Sequence, residues 1–285
     1  MIGKGGFGQI YSGVRNSDLK PVAIKIIKKQ SYCSKLVWPI EFDGQVVPLE
    51  VFLMQKLNHI NGVIKFLEYF ETLESYILVL ERMVPNKKCE KCQNDLCNCE
   101  KTTNQIQDLW DFITNHGPLD EDLARKIFSQ IVQTIQEITK AGVVHRDIKD
   151  ENILIDTQNH QIKIIDFGSG ATITTDAEVN KNIHATTAFI DYHGTRICAP
   201  PEYFTKRCYK ADGLNVWTLG ILLYNMTTGD VPFKSDRQTK KAEIKFKENL
   251  KLSEELIDLI KKCLTVSTLD RITLNDIAEH CWLKK

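Results

Sequence analysis

Gly3-Lys4-Gly5-Gly6-Phe7-Gly8, a G-x-G-x-x-G run at the very start of the chain, limits the fold more than any other feature. Glycines at this spacing let backbone N–H groups come close to phosphate, and more than one fold uses them so. The residues just after the glycines separate those folds. A dinucleotide-binding sheet needs a helix at once. Here "QIYSGV" has a strand-like pattern, and after the turn-prone "RNSDLK" comes a second apolar, β-branched run, "PVAIKII". The glycines therefore belong to a flap of two strands, which argues against a doubly wound α/β sheet.

The remaining periodicity divides the chain. "VPLEVFLMQKLNH" sets Val47, Val51, Met54 and Leu57 at helical spacing with Pro48 in the first turn, and "VIKFLEYFE" and "SYILVLE" read as strands. From Gln107 the pattern turns helical. In "LDEDLARKIFSQIVQTIQEITKAG" residues Leu123, Ile127, Ile131, Ile135 and Ile138 form one stripe, with Asp120 placed to cap the start and Gly142 to stop the end. Later helical stretches include "LNVWTLGILLYNMTTG", "SEELIDLIKKCL" and "TLNDIAEHCWL", the last with Thr273 and Asp276 in capping-box spacing. No internal repeat is present. The expected class is α+β: a small β-rich lobe with one main helix over 1–80, then a larger, mainly helical lobe over 105–285.

Lys+Arg and Asp+Glu balance at 37 each, so no bulk charge draws the chain toward nucleic acid or an anionic membrane. The N-terminus lacks a basic-then-apolar leader pattern, and the longest apolar run, Val216 to Tyr224, is too short to span a bilayer. The expectation is a soluble protein of a reducing compartment, cytoplasmic with the nucleus as a second location, whose nine cysteines are thiols or metal ligands.

The chemistry-bearing residues come in a fixed order. Val22-Ala23-Ile24-Lys25 places an ammonium on a strand facing the glycine flap; buried and unpaired it would be costly, and Glu50 on the next helix can pair with it. A lone lysine at a strand end is ordinarily a surface group. Here it is followed by His145-Arg146-Asp147-Ile148-Lys149-Asp150-Glu151-Asn152, by Asp166-Phe167-Gly168 and by Ala199-Pro200-Pro201-Glu202. This set, in this order, resembles that of the protein kinases and spans nearly the whole chain. "GGFGQIYSGV", "HRDIKDENILID", "DFGSGA" and "LGILLYNMTTGDVPF" are similar to the PIM group of Ser/Thr kinases.

The resemblance implies a bilobal kinase fold with a hinge at 81–85, a cysteine-rich insertion at 86–104 and an activation segment at 166–202. It implies ATP and Mg²⁺ as cofactors. ATP would be held by Ile2, Gly3, Lys4, Gly5, Gly6, Phe7, Gly8, Gln9, Ile10, Ala23, Lys25, Glu81, Met83 and Leu154, with Leu80 as gatekeeper and Met83 restoring a hinge donor that a proline removes in PIM kinases. Asn152 and Asp166 would hold Mg²⁺. Asp147 would accept the substrate proton, and Lys149 would neutralise the transferring group, with Lys25 held by Glu50. Met54, Leu67, His145 and Phe167 would stack as an internal apolar spine, and Glu202 with Arg271 would brace the large lobe.

Arg146, Asp191 and Thr195 would order the activation segment, Asp191 replacing a phosphate as the partner of Arg146; Thr186 and Thr187 are the candidate phosphorylation sites. Asp108, Asp111, Glu151, Asp230 and Asp236 would line a peptide groove that prefers protein substrates with basic residues near the target Ser or Thr. Each of these acids alone is as readily a solvated helix end, and Lys234 and Arg237 moderate the preference. A monomer is expected, with no nucleic-acid or membrane partner.

Three features depart from the pattern. Asn215 stands two residues before Trp217, where kinases carry an acid. Thr172 to Ile190 is long and polar. The chain begins almost on the glycine loop, so most of a first strand is missing. Two competing readings are a pseudokinase-type scaffold, against which Lys25, Asp147 and Asp166 all stand, and a kinase gated by a metal- or redox-sensing insertion. Cys89, Cys92, Cys97 and Cys99 form C-x2-C-x4-C-x-C, four thiolates that suit Zn²⁺ or Cu(I), or a flexible loop of reduced thiols.

Overall fold

The computed structural model describes residues 3–5, 8–29, 36–37, 46–84, 105–173, 188–247 and 249–285. The expectations for Ile2, Gly6 and Phe7, for the insertion with Cys89, Cys92, Cys97 and Cys99, and for Thr186 and Thr187 fall outside these residues.

The first half is built on an antiparallel sheet. Strands β1 (Gly3–Gly5), β2 (Gly8–Val14) and β3 (Pro21–Lys28) run consecutively; β4 (Leu36–Val37) and β5 (Val47–Pro48) form a separate pair; β6 (Phe66–Glu71) and β7 (Ser75–Glu81) complete the sheet in the order β1-β2-β3-β7-β6. The glycine run thus does lead into a strand. Between β5 and β6 lies α1 (Leu49–Lys56), entered through Pro48, whose fixed φ suits a helix start. Its inner face buries Glu50, Val51, Leu53 and Met54.

The second half is helical. A short β8 (Ile106–Asp108) leads to α2 (Leu109–His116), capped by the Asp108 carboxylate, and then to α3 (Glu121–Lys140), where Asp120 accepts from Leu123 N at 2.9 Å. The stripe Ile127, Ile131, Ile135 and Ile138 of α3 is buried, as the spacing predicts, and Gly142 follows the helix with φ 73°. Strands β9 (Val143–Val144), β10 (Ile153–Asp156), β11 (Ile162–Ile164) and β12 (Ala171–Thr172) carry the loops between them toward the sheet. Beyond them, β13 (Ala188–Phe189) pairs with β14 (Tyr209–Lys210). The last helices are α4 (Pro201–Lys206), α5 (Ala211–Thr228), α6 (Asp236–Lys241), α7 (Glu254–Cys263) and α8 (Leu274–Ala278). Helix α8 has the capping box that its sequence implies: Asp276 N donates to Thr273 Oγ1 at 3.1 Å.

One hydrophobic core runs from Ile27, Met54 and Leu78 through the α3 stripe to Trp217, Leu259 and Trp282. The loop between α1 and β6 fastens the two halves: Ile64 N donates to Ile164 O at 3.1 Å and Ile164 N to Gly62 O at 2.7 Å. Position 62 has to be glycine, because a Cβ there would lie 1.9 Å from Thr134 Oγ1 on α3.

Two expectations change. The β6–β7 register shifts between Phe66 and Glu68, and this bulge leaves Leu67 half-buried and outside the core while Phe66 packs onto it. Phe66, not Leu67, therefore sits where the apolar spine needs a side chain. Asn215 does not reach the loop after β9; its amide donates to Thr139 Oγ1 on α3 at 3.2 Å.

The large lobe is braced where expected. Arg271 Nη1 and Nη2 donate to Glu202 Oε1 and Oε2 at 2.9 and 2.8 Å, with both residues buried. Removing one member of such a pair leaves an uncompensated buried charge. Arg271→Leu is expected to lose about 3 kcal/mol of stability in a urea titration, and a loss below about 1 kcal/mol would contradict the brace.

Candidate active site

The site is assembled around a buried cation. Lys25 on β3 is 3% exposed and Glu50 on α1 only 1%. Lys25 Nζ donates to Glu50 Oε1 at 2.6 Å and to Asp166 Oδ1 at 2.9 Å. Burial works against the ammonium, but the two carboxylates more than offset it and hold Lys25 above its usual range. Asp166 shows the converse: burial opposes its charge, yet the Lys25 ammonium keeps its carboxyl below the usual carboxylate range. Asp166 also has a left-handed backbone, φ 64°, and accepts from Gly168 N at 3.2 Å. These contacts turn its carboxylate away from the strand line toward Lys25.

A second group forms on the loop after β9. Asp147 Oδ1 accepts from Thr195 N at 2.7 Å, and Asp147 Oδ2 accepts from Asn152 Nδ2 at 3.1 Å. Asn152 Nδ2 also donates to the Asp147 carbonyl at 2.7 Å. Lys149 Nζ stands 3.8 Å from Asp147 Oδ2 and pairs with Glu151. Burial lowers the Lys149 ammonium, but the bond to Glu151 and the field of Asp147 prevail and raise it. The loop is held by His145, whose Nε2 donates to Ile165 O at 2.9 Å while Nδ1 accepts from Asp147 N at 3.2 Å. That bonding fixes one neutral tautomer, consistent with the way burial lowers the His145 pKa. Its ring packs on Phe167 at 4.7 Å, and Phe167 and Met54 are both buried in the same core.

Around the cleft, Ala23 on β3 and Leu154 on β10 are half-buried against the core, Leu80 lies opposite Ala23 in register, and Met83 packs from the segment after β7. Glu81 is bolted in place. Its N–H donates to Lys65 O at 2.8 Å, and its Oε2 accepts from Lys65 N at 3.0 Å and from Lys163 Nζ at 3.2 Å. Sequence reasoning missed Lys163, although its place on β11, three residues before Asp166, was a signal.

Arg146 differs from expectation. It forms no ion pair with Asp191: Nε donates to Ser169 O at 2.6 Å and Nη2 to Gly170 O at 3.0 Å, and the guanidinium lies 5.1 Å above the Phe189 ring. The two carbonyls take N–H groups that an acid was expected to take, and burial lowers the Arg146 pKa against the opposing effects of Tyr209 and, at longer range, Asp191. Phe189 in turn stacks on Tyr209 at 5.5 Å, Tyr209 Oη donates to Asp191 O at 3.0 Å, and Tyr192 packs against Tyr203 and Tyr209. Gly194 lets this segment approach: a Cβ there would lie 2.2 Å from Arg146 O. The aromatic clasp was not legible in the sequence, because its rings are far apart along the chain.

The expected groove acids divide into two sets. Asp108 caps α2 by accepting from Asp111 N at 2.7 Å, and burial raises its pKa, while Asp111 is exposed. Asp230 is bonded to Lys234 Nζ at 2.9 Å, Asp236 to Arg196 Nη2 at 2.5 Å, and Glu151 to Lys149. The last three are already neutralised by neighbours. Cys198, beside the loop after β9, is buried, and burial with the field of Asp147 pushes its thiol up to about 12, so it is a protonated packing group.

The family model of the protein kinase domain matches residues 1–283, and the chain belongs to that family. It is a protein Ser/Thr kinase, an enzyme of the transferase class that uses ATP with Mg²⁺. It is 39% identical to the serine/threonine-protein kinase pim-2 of Danio rerio over 99% of this chain and 83% of the relative. It is 34% identical to the serine/threonine-protein kinase prk-2 of Caenorhabditis elegans over its whole length, which spans 57% of that protein. A mouse PAS domain-containing serine/threonine-protein kinase is 32% identical over 99% of this chain but only 18% of its own length. No helix among the described residues is long and apolar enough to cross a membrane, and no group of three or more His, Cys, Asp or Glu among them could hold a metal ion.

The Lys25 cluster has a defined pH signature. Asp166, depressed, stabilises the fold above the ordinary carboxylate range and loses that contribution as pH falls through its lowered pKa. Lys25, raised, contributes below the ordinary ammonium range and loses it only as pH rises through its elevated value. The stability difference between the parent and Lys25→Met is therefore expected to be flat from about pH 5 to about pH 9 and to shrink below about pH 4. Denaturant midpoints across pH would show this; a steep change near neutrality would contradict it.

Proposed function

We propose that the chain transfers the γ-phosphoryl group of ATP to Ser or Thr hydroxyls in basic contexts, and that it does so without phosphorylation of its own activation segment. The observation carrying this reading is Lys25 bonded simultaneously to Glu50 and Asp166, which joins β3, α1 and the turn after β11 at one point of the cleft.

ATP lies under the glycine flap, its adenine between Ala23 and Leu154 and its edge at the Glu81 carbonyl and the Met83 N–H. Lys25 holds the α- and β-phosphates, a role suited to a rigid ammonium with two carboxylate partners. Asp166 offers carboxylate oxygens and Asn152 an amide oxygen, its Nδ2 being committed to Asp147; hard oxygen donors of this kind fit Mg²⁺, which when bound supplies neutralisation of the phosphate charge. Asp147 orients the substrate hydroxyl and accepts its proton as the new O–P bond forms and the bond to the departing ADP breaks. Its two oxygens are fixed by Thr195 N and Asn152 Nδ2 yet keep lone pairs free for that proton. Lys149 screens the charge on the transferring group.

The basic preference rests on Asp108 and Asp111, and is milder than five free acids would give. Independence from phosphorylation is supported by Arg146, two of whose N–H groups already bond the Ser169 and Gly170 carbonyls, and by the aromatic clasp around Phe189 and Tyr209. The scaffold alternative is disfavoured because Lys25, Asp147 and Asp166 are all in place and mutually bonded or positioned.

The test is phosphate transfer from ATP to matched Ser peptides with arginines or with acids upstream. Asp166→Ala is expected to lower kcat by at least about a thousandfold, and the arginine peptide to be preferred by about tenfold in kcat/KM. No transfer by the unmutated protein would favour the scaffold. Thr186→Ala/Thr187→Ala is expected to retain at least about half of kcat, whereas Phe189→Ala loses about tenfold; the reverse ranking would show that phosphate, not the clasp, orders the segment.

A further inference from the structure

The charges around α6 (Asp236–Lys241) do not match a groove built for basic peptide alone. In a chain whose charges balance, residues 234 to 251 carry seven lysines and arginines against three acids. The pairing pattern shows where that excess lies. Asp230 is held by Lys234 at 2.9 Å, and Asp236 by Arg196 at 2.5 Å. The bond to Lys234, with a contribution from the field of Lys247, keeps Asp230 below the usual carboxylate range; Lys240 adds to Arg196 in doing the same for Asp236. Each acid is therefore met by more than one cation.

The backbone turns the remaining cations outward. After α6 the chain leaves the helix, and from Glu243 to Lys247 its burial alternates: Ile244 and Phe246 pack against the core, and Lys245 and Lys247 are exposed. Tyr224 fixes this run, donating from Oη to Lys245 O at 2.6 Å and packing its ring on Phe246 at 5.6 Å. Lys240, Lys245, Lys247 and Lys251 are exposed and form no ion pair among the described residues. Glu243 is the one exposed acid among the described residues of this run and it pairs with Lys241, so the strip keeps an excess of positive charge, which is complementary to an anion. At its start α6 is tied to the site, because Asp236 pairs with Arg196, whose neighbour Thr195 donates to Asp147.

We propose that the lysine strip formed by Lys240 at the end of α6 and by Lys245, Lys247 and Lys251 in the run after it docks an acidic or phosphorylated segment of the protein substrate whose Ser or Thr lies at Asp147. This rests on the kinase reading above. It makes recognition two-signed: basic residues close to the acceptor, read by Asp108 and Asp111, and carboxylates or phosphates farther away, read by the lysine strip. Cation and anion chemistry here are shared by glutamate and phosphoserine, and the test separates them.

The test uses the full chain and fluorescent Ser peptides with an upstream arginine pair, either alone, with a block of glutamates at one end or the other, or with phosphoserines in place of the glutamates. Fluorescence anisotropy measures binding independently of turnover, and phosphate transfer is measured in parallel. One of the anionic blocks is expected to tighten binding and raise kcat/KM by about tenfold at about 50 mM salt, with most of the gain gone at about 300 mM. Lys240→Glu/Lys245→Glu/Lys247→Glu is expected to abolish the gain while phosphorylating the plain peptide within about twofold of the parent. Lys240→Gln/Lys245→Gln/Lys247→Gln, with less reversed charge, should lose a smaller part of it. A response to phosphoserine alone would identify a phosphorylated segment, and a response to both a generally acidic one. Equal binding of all peptides, or a gain that survives both triple variants, overturns the proposal. If no peptide is phosphorylated, the kinase reading fails, and the anisotropy series still decides the docking.

Discussion

The contact on which the rest depends is the Lys25 ammonium between Glu50 and Asp166. A lysine buried this deeply would be neutral or destabilising if alone, and either carboxylate would be too. Only the three together are tolerable, and each comes from a different element: β3, α1 and the turn after β11. Once they meet, the sheet, the helix and the large lobe have a common reference point. Other features maintain it. The 57–65 loop fixes α1 to β11 through Ile164, Lys163 ties the hinge carboxylate of Glu81 to the same strand, and the left-handed Asp166 aims its carboxylate inward.

The same logic explains the ordering of the 188–202 segment. Arg146 is a second buried cation, and it needs partners as Lys25 does. Two backbone carbonyls and an aromatic face supply them, and the Phe189–Tyr209 stack joins that solution to the β13–β14 pair and so to the start of α5. Thr195, carried on this segment, gives Asp147 its N–H. The Asp147 carboxylate is thus oriented by the segment that the buried arginine organises.

Much of this was legible in the sequence, for definable reasons. Local signals were reliable: the glycine run before a strand, the α3 stripe, the Asp120 and Thr273 caps. Lys25, Asp147, Asn152 and Asp166, singled out by an ordered motif, come together in bonded groups, Lys25 with Asp166 and Asp147 with Asn152. Features set by long-range packing were not. Phe66 replaced Leu67 because a bulge, invisible in the residue pattern, shifts the strand by one. Asp191 lost Arg146 because carbonyls compete as acceptors, and every residue has one. Asp230 and Asp236 were placed in the groove because the partners that hold them, Lys234 and Arg196, are brought into ion pairs by the turn after α5 and by a fold-back of the 195–198 segment. Counting acids in a sequence overstates a negative groove whenever nearby cations can reach them.

The proposal stands or falls on whether the site is assembled before any phosphate is added to the chain. This is measured by rapid-quench phosphate transfer with protein that has been treated with phosphatase and shown by intact mass to carry no phosphate. Pre-assembly predicts product formation that is linear from the first time points and independent of enzyme concentration per site. A lag that lengthens as enzyme is diluted, and that disappears after preincubation with ATP, would mean that the site is completed by autophosphorylation and would contradict it.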